Sequence, residues 1–126
     1  MPTFGILRTA LFVPATRPDR VDKALGAGAD AVIIDLEDAV AQALKAEARA
    51  AARQKLMEHA RGKLLVRVNA LGSGENRKDL EAVVTPSLRA VMLPKVESAE
   101  HVREIHRRLL DAEQRGGLTP GALGVL

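Results

Sequence analysis

The sequence predicts an α/β fold in which parallel strands alternate with helices. One observation is that segments with strand character and segments with helical periodicity follow one another along the chain, at intervals of about 30 residues, the usual length of a βαβ unit. A second is that residues 31–34 form a continuous apolar run without alternation of polar residues, as expected for a strand of a parallel sheet that is buried on both faces. Right-handed crossovers would then connect the strands.

The first βα unit begins with a predicted strand over residues 9–14, which a proline ends. Thr16 followed by Asp19 resembles a capping box, so a helix is predicted over residues 18–25. The second strand is predicted over about residues 30–36, where an apolar run leads directly into acidic residues.

An alanine-rich helix is predicted over residues 42–59. Its inner stripe contains small and aliphatic side chains. These are Leu44, Ala48, Ala51, Ala52 and Leu56. Its outer side is predicted to carry the charged residues. These are Lys45, Glu47, Arg49, Arg53 and Lys55.

The remainder of the chain repeats the same alternation. Ser98 is a predicted N-cap because its hydroxyl can accept a backbone N–H at the start of a helix. The predicted elements are a strand over 64–69, a helical turn over 77–84, a strand over 90–95, a helix over 99–113 and the start of a fifth strand over 123–126.

Composition limits the classes of function. The 126 residues suffice for one domain, predicted to span residues 1–126, with 47% hydrophobic and 28% charged residues. Two Phe and no Trp or Tyr argue against nucleic-acid binding by base stacking. The net charge of +3 comes with scattered arginines, which favours small anionic ligands over a polyanion.

Compartment signals are few. The chain has no cysteine, so it can form neither a disulfide nor a cysteine zinc site. The N-terminal segment 1–7 lacks the basic and apolar regions of a signal peptide, and no apolar run reaches the ~20 residues of a membrane span. We therefore expect a cytoplasmic protein without a membrane partner.

Three carboxylates, those of Asp35, Glu37 and Asp38, follow the second strand within four positions. Parallel α/β folds place their chemistry at the C-terminal ends of strands. Carboxylates this close repel one another unless a cation, a hydrogen-bond donor or a proton lies among them. They are therefore candidate site residues, and the alternative is that they cap the next helix and face water.

Cationic residues are predicted at the same edge. Arg67 lies inside an apolar strand, where an unpaired charge is costly to desolvate. It either forms an ion pair with the second strand or binds a carboxylate or enolate oxygen of a ligand. Lys95 and Arg17 each either bind an anion or face solvent. In contrast, His59, His101 and His106 fall on predicted helices away from the strand ends, and no catalytic role is expected for them.

Four short motifs resemble the citrate lyase beta subunit and the wider group of citryl-CoA and malyl-CoA lyases. They occur in the order and spacing of that family, from about Arg8 onward. The motifs are LFVP at 11–14, DLEDAV at 35–40, VRVN at 66–69 and LPK at 93–95. The related metal-dependent hydroxy-keto-acid aldolases usually carry His in place of Asp38 and Pro in place of Asn69, so the sequence follows the lyase pattern.

This resemblance implies a TIM (β/α)8 barrel, of which the chain would supply about the first four βα units. It also implies cleavage of a carbon–carbon bond in a 3-hydroxy-acyl-CoA, giving a short acyl-CoA and a 2-keto acid. Arg67 would contact the substrate's carboxylate or carbonyl oxygen, Glu37 and Asp38 would lie beside the metal with Asp38 transferring a proton, and Arg17 would lie near the CoA phosphates. Lys95 is the third candidate substrate-binding residue.

The resemblance further implies Mg²⁺ as cofactor and a homo-oligomer, commonly a trimer. The family's metal ligands are a glutamate after the fifth strand and an aspartate after the sixth, so they are expected beyond residue 126 and no metal ligand is named here. We expect this chain alone to be inactive.

The apolar segment 123–126 leaves a predicted strand edge unpaired, so we expect either a longer protein or a covering chain. The alternative functions are a non-catalytic half-barrel that serves assembly and a hydroxy-keto-acid aldolase.

Overall fold

The computed structural model describes residues 5–126; residues 1–4, part of the segment in which no signal peptide is predicted, lie outside it. The strands are β1 (Ala10–Pro14), β2 (Ala31–Asp35), β3 (Leu64–Arg67), β4 (Ala90–Met92) and β5 (Gly124–Val125). The helices are α1 (Pro18–Leu25), α2 (Lys45–Glu58), α3 (Asn76–Val83) and α4 (Ala99–Arg115), with one 3₁₀ turn at Gln42–Leu44.

The five strands form one sheet in the order β1-β2-β3-β4-β5, and every pair is parallel. The α/β prediction with a parallel sheet is therefore confirmed. Each helix crosses between two adjacent strands, so the chain advances by one strand per crossover. Because the strands are parallel, the segments that follow them all begin at the same edge of the sheet.

All four helices cover one face of the sheet. The larger core cluster joins helical residues such as Leu56 and Ile105 to strand residues such as Ile34 and Val66. The opposite face carries a small cluster, Ala31, Ile33, Leu65 and Ala90, packed against Leu7 and Met92. Sequential parallel strands with helices on a single face are the arrangement of barrel folds, whereas doubly wound sheets carry helices on both faces.

The alanine-rich helix differs from its prediction at its first turn. Residues 42–44 form the 3₁₀ turn, and the α-helix starts at Lys45. Lys45 is buried, and Arg49 and Lys55 are largely buried, so their assignment to the outer side was wrong. Leu44 is exposed rather than inward. The cause is that each of these cations contacts polar groups of another segment, which the apolar periodicity cannot indicate. Lys45 donates to backbone carbonyls after β2, Arg49 to the carboxylates of Glu75 and Asp79 after β3, and Lys55 to Asp22 on α1.

The predicted caps have opposite outcomes. Ser98 caps α4 as predicted, with its Oγ accepting the amide of His101 at 3.3 Å. Thr16 does not cap α1: the N-cap position belongs to Arg17, and the N-cap side chain forms no capping hydrogen bond. Pro18 lies at the start of this helix, where its lack of an N–H costs nothing.

The predicted strands 64–69 and 90–95 are longer than β3 and β4. Single backbone bonds continue beyond both strands, from Val68 N to the Met92 carbonyl and from Leu93 N to the Leu126 carbonyl. Within residues 5–126, no helix has both the length and the apolar character that crossing a bilayer requires.

Candidate functional site

The candidate site lies at the C-terminal edge of the sheet, across the ends of β1 to β4. Asp35 is the last residue of β2, and its register partners are Pro14 on β1 and Arg67 on β3. Arg67 in turn pairs with Met92 on β4. The strand register therefore places Asp35, the first of the three acidic residues at positions 35–38, directly beside Arg67.

Arg67 and Asp35 form a two-bond ion pair. Arg67 Nε and Nη2 donate to Asp35 Oδ1 and Oδ2, each at 2.8 Å. The guanidinium also lies 4.7 Å from the centre of the Phe12 ring. Hydrogen bonding to Asp35 raises the pKa of Arg67. The ion-pair interpretation of Arg67 is thus observed, and Phe12 shields one face of the guanidinium.

The Asp35 carboxylate also shapes the loop that follows it. Its two oxygens accept the backbone N–H groups of Glu37 at 2.9 Å and Ala39 at 3.0 Å. Burial acts to raise the pKa of Asp35, but the bonds from Arg67 and these two amides outweigh it, so the pKa is lowered. Asp35 is therefore an ionised structural residue that holds both Arg67 and the acidic loop.

Glu37 lies between two cations. Its side chain is 8% exposed; Oε2 accepts a 3.1 Å hydrogen bond from Lys95 Nζ, and Oε1 is 3.9 Å from Arg67 Nε. The bond to Glu37, more than the charge of Asp38, raises the pKa of Lys95. Asp38 itself is exposed, and its charge also helps to raise the pKa of Arg67. The structure thus brings Glu37, Asp38, Arg67 and Lys95 together.

Lys95 has a left-handed backbone with φ of 57°, and it is the one residue other than glycine with positive φ among residues 5–126. Left-handed backbone is unfavourable for a side chain with a Cβ. It occurs directly after Pro94, where the chain turns from the end of β4 toward α4. This turn places the ammonium group over the acidic loop.

The Arg67 guanidinium retains capacity for a ligand. It has five N–H donors. Within the described part of the chain, the hydrogen bonds recorded for Arg67 use two of them, both to Asp35. The side chain is 22% exposed at the edge where Glu37 and Lys95 meet. An anchored guanidinium with free donors can bind a carboxylate or an oxyanion.

Arg17 lies at the same edge of the sheet but apart from this cluster. Its Nε and Nη2 donate to Asp19 at 3.3 Å, and half of its side chain is exposed. The structure therefore places Arg17 after β1, as predicted, and does not bring it into contact with Arg67 or Lys95.

A buried polar layer supports the acidic loop from behind. The amide and the side chain of Asn69 donate to Asp79 Oδ2 at 2.7 Å, and Asn69 Nδ2 also donates to the Leu36 carbonyl at 3.0 Å. Burial raises the pKa of Asp79, although its bonds to Asn69 and Arg49 oppose this. Asn69 and Asp79 thus support the site without lining it.

Sequence reasoning missed two cationic members of this support, Arg49 and Lys45. Arg49 donates to Asp79 at 3.2 Å and pairs closely with Glu75. The buried Lys45 ammonium donates to the carbonyls of Leu36 and Glu37. No periodic signal identifies these residues, because charged side chains on amphipathic helices usually face water.

The histidines lie outside the cluster. His101 is in the first turn of α4, which starts after β4, so it lies nearer the strand ends than predicted; its Nδ1 accepts the Glu97 amide at 3.2 Å. His106 is exposed on α4. His59 follows α2 at the opposite edge of the sheet, 3.2 Å from Asp22.

The residues described do not form a metal site at the candidate edge, since Asp35 and Glu37 are bound by cationic side chains. Across residues 5–126, the one group with metal-ligand proximity is Asp22, Glu58 and His59. It lies at the other edge, where Lys55 Nζ donates to Asp22 and Glu58 at 2.8 Å. The Lys55 ammonium group therefore already supplies the positive charge beside these carboxylates that a metal ion would otherwise supply.

The sequence over residues 8–126 matches the family model of the HpcH/HpaI aldolase/citrate lyase group. The chain belongs to the HpcH/HpaI aldolase/citrate lyase family. The family resemblance drawn from the four motifs is therefore confirmed, and each of those motifs falls within the matched region.

Relatives within this family include the citrate lyase subunit beta-like protein of Mycobacterium tuberculosis, which is 48% identical over 98 residues, 78% of this chain and 35% of that protein. A citrate lyase beta subunit of M. tuberculosis, solved with oxaloacetate and magnesium, aligns with a TM-score of 0.71 at 34% identity over 99% of this chain and 59% of that one.

A third relative is the CitE protein of M. tuberculosis, solved with magnesium, acetoacetate and coenzyme A. It has a TM-score of 0.66 and 42% identity over 79% of this chain and 38% of that one. The chain spans less than half the length of the curated family members that it matches, 35% of the M. tuberculosis protein and 40% of the citrate lyase subunit beta of Escherichia coli.

Proposed function

We propose that this chain forms the anion-binding edge of a carbon–carbon lyase that cleaves a 3-hydroxy-acyl-CoA to a short acyl-CoA and a 2-keto acid. The observation that carries the proposal is Arg67, which Asp35 fixes through two bonds of 2.8 Å and which lies 3.9 Å from Glu37, itself bonded to Lys95. One solved relative holds oxaloacetate, and another holds acetoacetate and coenzyme A. Keto acids and CoA compounds are the classes of molecule that take part in such a reaction.

Arg67 is proposed to bind the carboxylate or carbonyl oxygen of the keto-acid part. A fixed guanidinium presents parallel N–H donors to a planar anion and stabilises negative charge on an oxygen as the carbon–carbon bond breaks. Lys95 offers a second cation at the same edge, and ligand binding would compete with its contact to Glu37. Arg17, half exposed beside the start of α1, is proposed to lie near the CoA phosphates.

Asp38 is proposed to transfer a proton, and Glu37 to stand beside it. The reaction removes a proton from the substrate hydroxyl, breaks the adjacent carbon–carbon bond and returns a proton to the enolate carbon of the acyl-CoA. Glu37 is already bound by Lys95 and lies close to Arg67. Asp38 is exposed, which makes it the carboxylate of the three that is accessible for proton transfer.

Mg²⁺ is the proposed cofactor of the complete protein, because solved relatives contain it. When bound, it would polarise the keto-acid oxygen. Asp35 and Glu37 are bound by cations and do not fit a ligand set, so the ligands are expected outside residues 5–126. We also propose that residues 1–126 form one domain, the N-terminal half of a (β/α)8 barrel in a homo-oligomer. The single-sided helix layer supports the barrel.

The proposal is tested with the complete product of the gene that encodes this chain, assayed with Mg²⁺ on citryl-CoA and malyl-CoA. A dehydrogenase or hydrazone assay detects keto acid, and a thiol reagent detects free coenzyme A. We expect keto acid without free thiol, because a lyase leaves the thioester intact.

Free thiol without keto acid would indicate thioester hydrolysis and contradict the proposal. Cleavage of a free hydroxy-keto acid without CoA would instead support the aldolase alternative. No turnover of any of these substrates would favour a non-catalytic assembly role.

A further inference from the structure

We propose that Lys45 is a positioning residue that sets the direction of the Glu37 carboxylate and the course of the acidic loop 36–40. This inference rests on the proposed function for its catalytic consequence, and its structural part is independent of that function. Lys45 belongs to α2, touches neither Arg67 nor Lys95, and acts through the backbone of the loop.

The Lys45 ammonium binds two consecutive peptide carbonyls. Nζ donates to the oxygens of Leu36 and Glu37, each at 2.8 Å, and the residue is 8% exposed. The ion pairs recorded within residues 5–126 include none to Lys45. A buried cation without a carboxylate partner is costly, so its bonds to this loop must offset its desolvation.

The position of Lys45 on its helix is unfavourable in itself. Lys45 is the first residue of α2, and a cation in the first turn opposes the positive end of the helix dipole. The helix dipole therefore does not favour a lysine here. The two hydrogen bonds that its ammonium donates to adjacent carbonyls explain it instead, because no apolar side chain could satisfy both oxygens.

Glu37 is consequently fixed on both sides of its Cα. Its N–H donates to Asp35 Oδ1 at 2.9 Å, and its carbonyl accepts Lys45 Nζ. The preceding carbonyl, that of Leu36, accepts both Lys45 Nζ and Asn69 Nδ2. With its backbone held in this way, the Glu37 side chain is directed between Arg67 and Lys95.

The test compares Lys45→Met and Lys45→Arg with Lys23→Met in the complete gene product. Lys23 is exposed on α1, so its variant is the matched control for losing an ammonium group. Hydrogen exchange is measured on the amides of Glu37 and Ala39, which donate to the Asp35 carboxylate, and of Val40, which donates to the Glu37 carbonyl. We expect Lys45→Met to speed their exchange about tenfold or more, with unchanged exchange in α4.

In the lyase assay, Lys45→Met is expected to lower kcat about tenfold with little change in KM, because the loss is in the orientation of groups rather than in ligand contacts. Lys45→Arg should restore much of both readouts. Should Lys45→Met fail to fold, Lys45→Gln takes its place in the same measurements.

Unchanged loop exchange in Lys45→Met would overturn the positioning role, as would uniformly faster exchange throughout the sheet, which indicates general destabilisation. If the wild-type protein shows no lyase activity while the loop exchange changes as expected, the proposed function fails and the positioning role stands.

Discussion

Asp35 and Arg67 are register partners on neighbouring parallel strands and are joined by two hydrogen bonds of 2.8 Å. The sequence allows two interpretations of Arg67, an ion pair with the second strand and binding of a ligand anion, and this pair is compatible with both. The carboxylate neutralises a largely buried guanidinium, and the same contact holds that guanidinium 3.9 Å from Glu37, which bonds to Lys95. The ion pair is therefore part of the fold and, under the proposed function, the support of an anion site.

Replacing Arg67 by Lys should weaken binding of 2-keto acids about 100-fold. Lysine keeps the charge but loses the planar fork that bonds Asp35 through two N–H groups and leaves others for the ligand. Isothermal titration calorimetry with oxaloacetate or pyruvate measures this loss. Arg20→Lys, an exposed change on α1, is the control and should bind as the wild type does. Equal affinities of the two variants for the keto acid would show that Arg67 does not bind it.

Asp35→Asn should lower the free energy of unfolding by about 3 kcal/mol, since it leaves a largely buried guanidinium without its counter-charge. Urea titration monitored by circular dichroism measures this change. Asp38→Asn, in the same loop but exposed, should alter stability by no more than about 0.5 kcal/mol. A loss of similar size in both variants would show that the Asp35 contact is not what stabilises the loop.

The Asp35 pair also sets a pH dependence. Because the folded-state pKa of Asp35 is lowered, the pair contributes its stability above the unfolded pKa of about 3.9 and loses it as the pH falls through the folded value. The difference in unfolding free energy between wild type and Asp35→Asn should therefore shrink as the pH falls from about 5 to about 2. A difference that stays constant over this range would contradict the lowered pKa.

Asp38→Asn should lower kcat at least about 100-fold and leave KM for the CoA thioester nearly unchanged, because the amide can form contacts but cannot accept a proton. Asp111→Asn, at an exposed position on α4, is the control that should retain wild-type kinetics. If Asp38→Asn instead raised KM about 100-fold and left kcat unchanged, Asp38 would be assigned to substrate binding and not to proton transfer.

Lys95→Gly should melt about 4 °C higher than Lys95→Ala. Both variants lose the bond to Glu37, so the comparison isolates the backbone, whose φ of 57° suits glycine and strains alanine. Differential scanning calorimetry measures the two midpoints. Equal midpoints would show that the left-handed turn after Pro94 is not maintained in solution.

Much of the site could be predicted from sequence because it follows from strand order. Asp35 closes an apolar run, and Arg67 lies in the next one. Parallel strands bring the ends of such runs to one edge, whatever the details of packing. The same logic places Lys95 after β4 and Arg17 after β1. What it could not predict is that Arg17 pairs with Asp19 and stands apart from the cluster.

The sequence by itself determined the alternation of strands and helices, the parallel sheet and the family. The first two follow from local periodicity, and the family follows from short motifs whose order can be read from the sequence. Only the tertiary structure decided that Lys45 turns inward to two carbonyls, that Asn69 is buried against Asp79, and that Asp35 fixes Arg67. These choices are set by desolvation and hydrogen-bond satisfaction among residues far apart in the chain, and no periodic pattern records them.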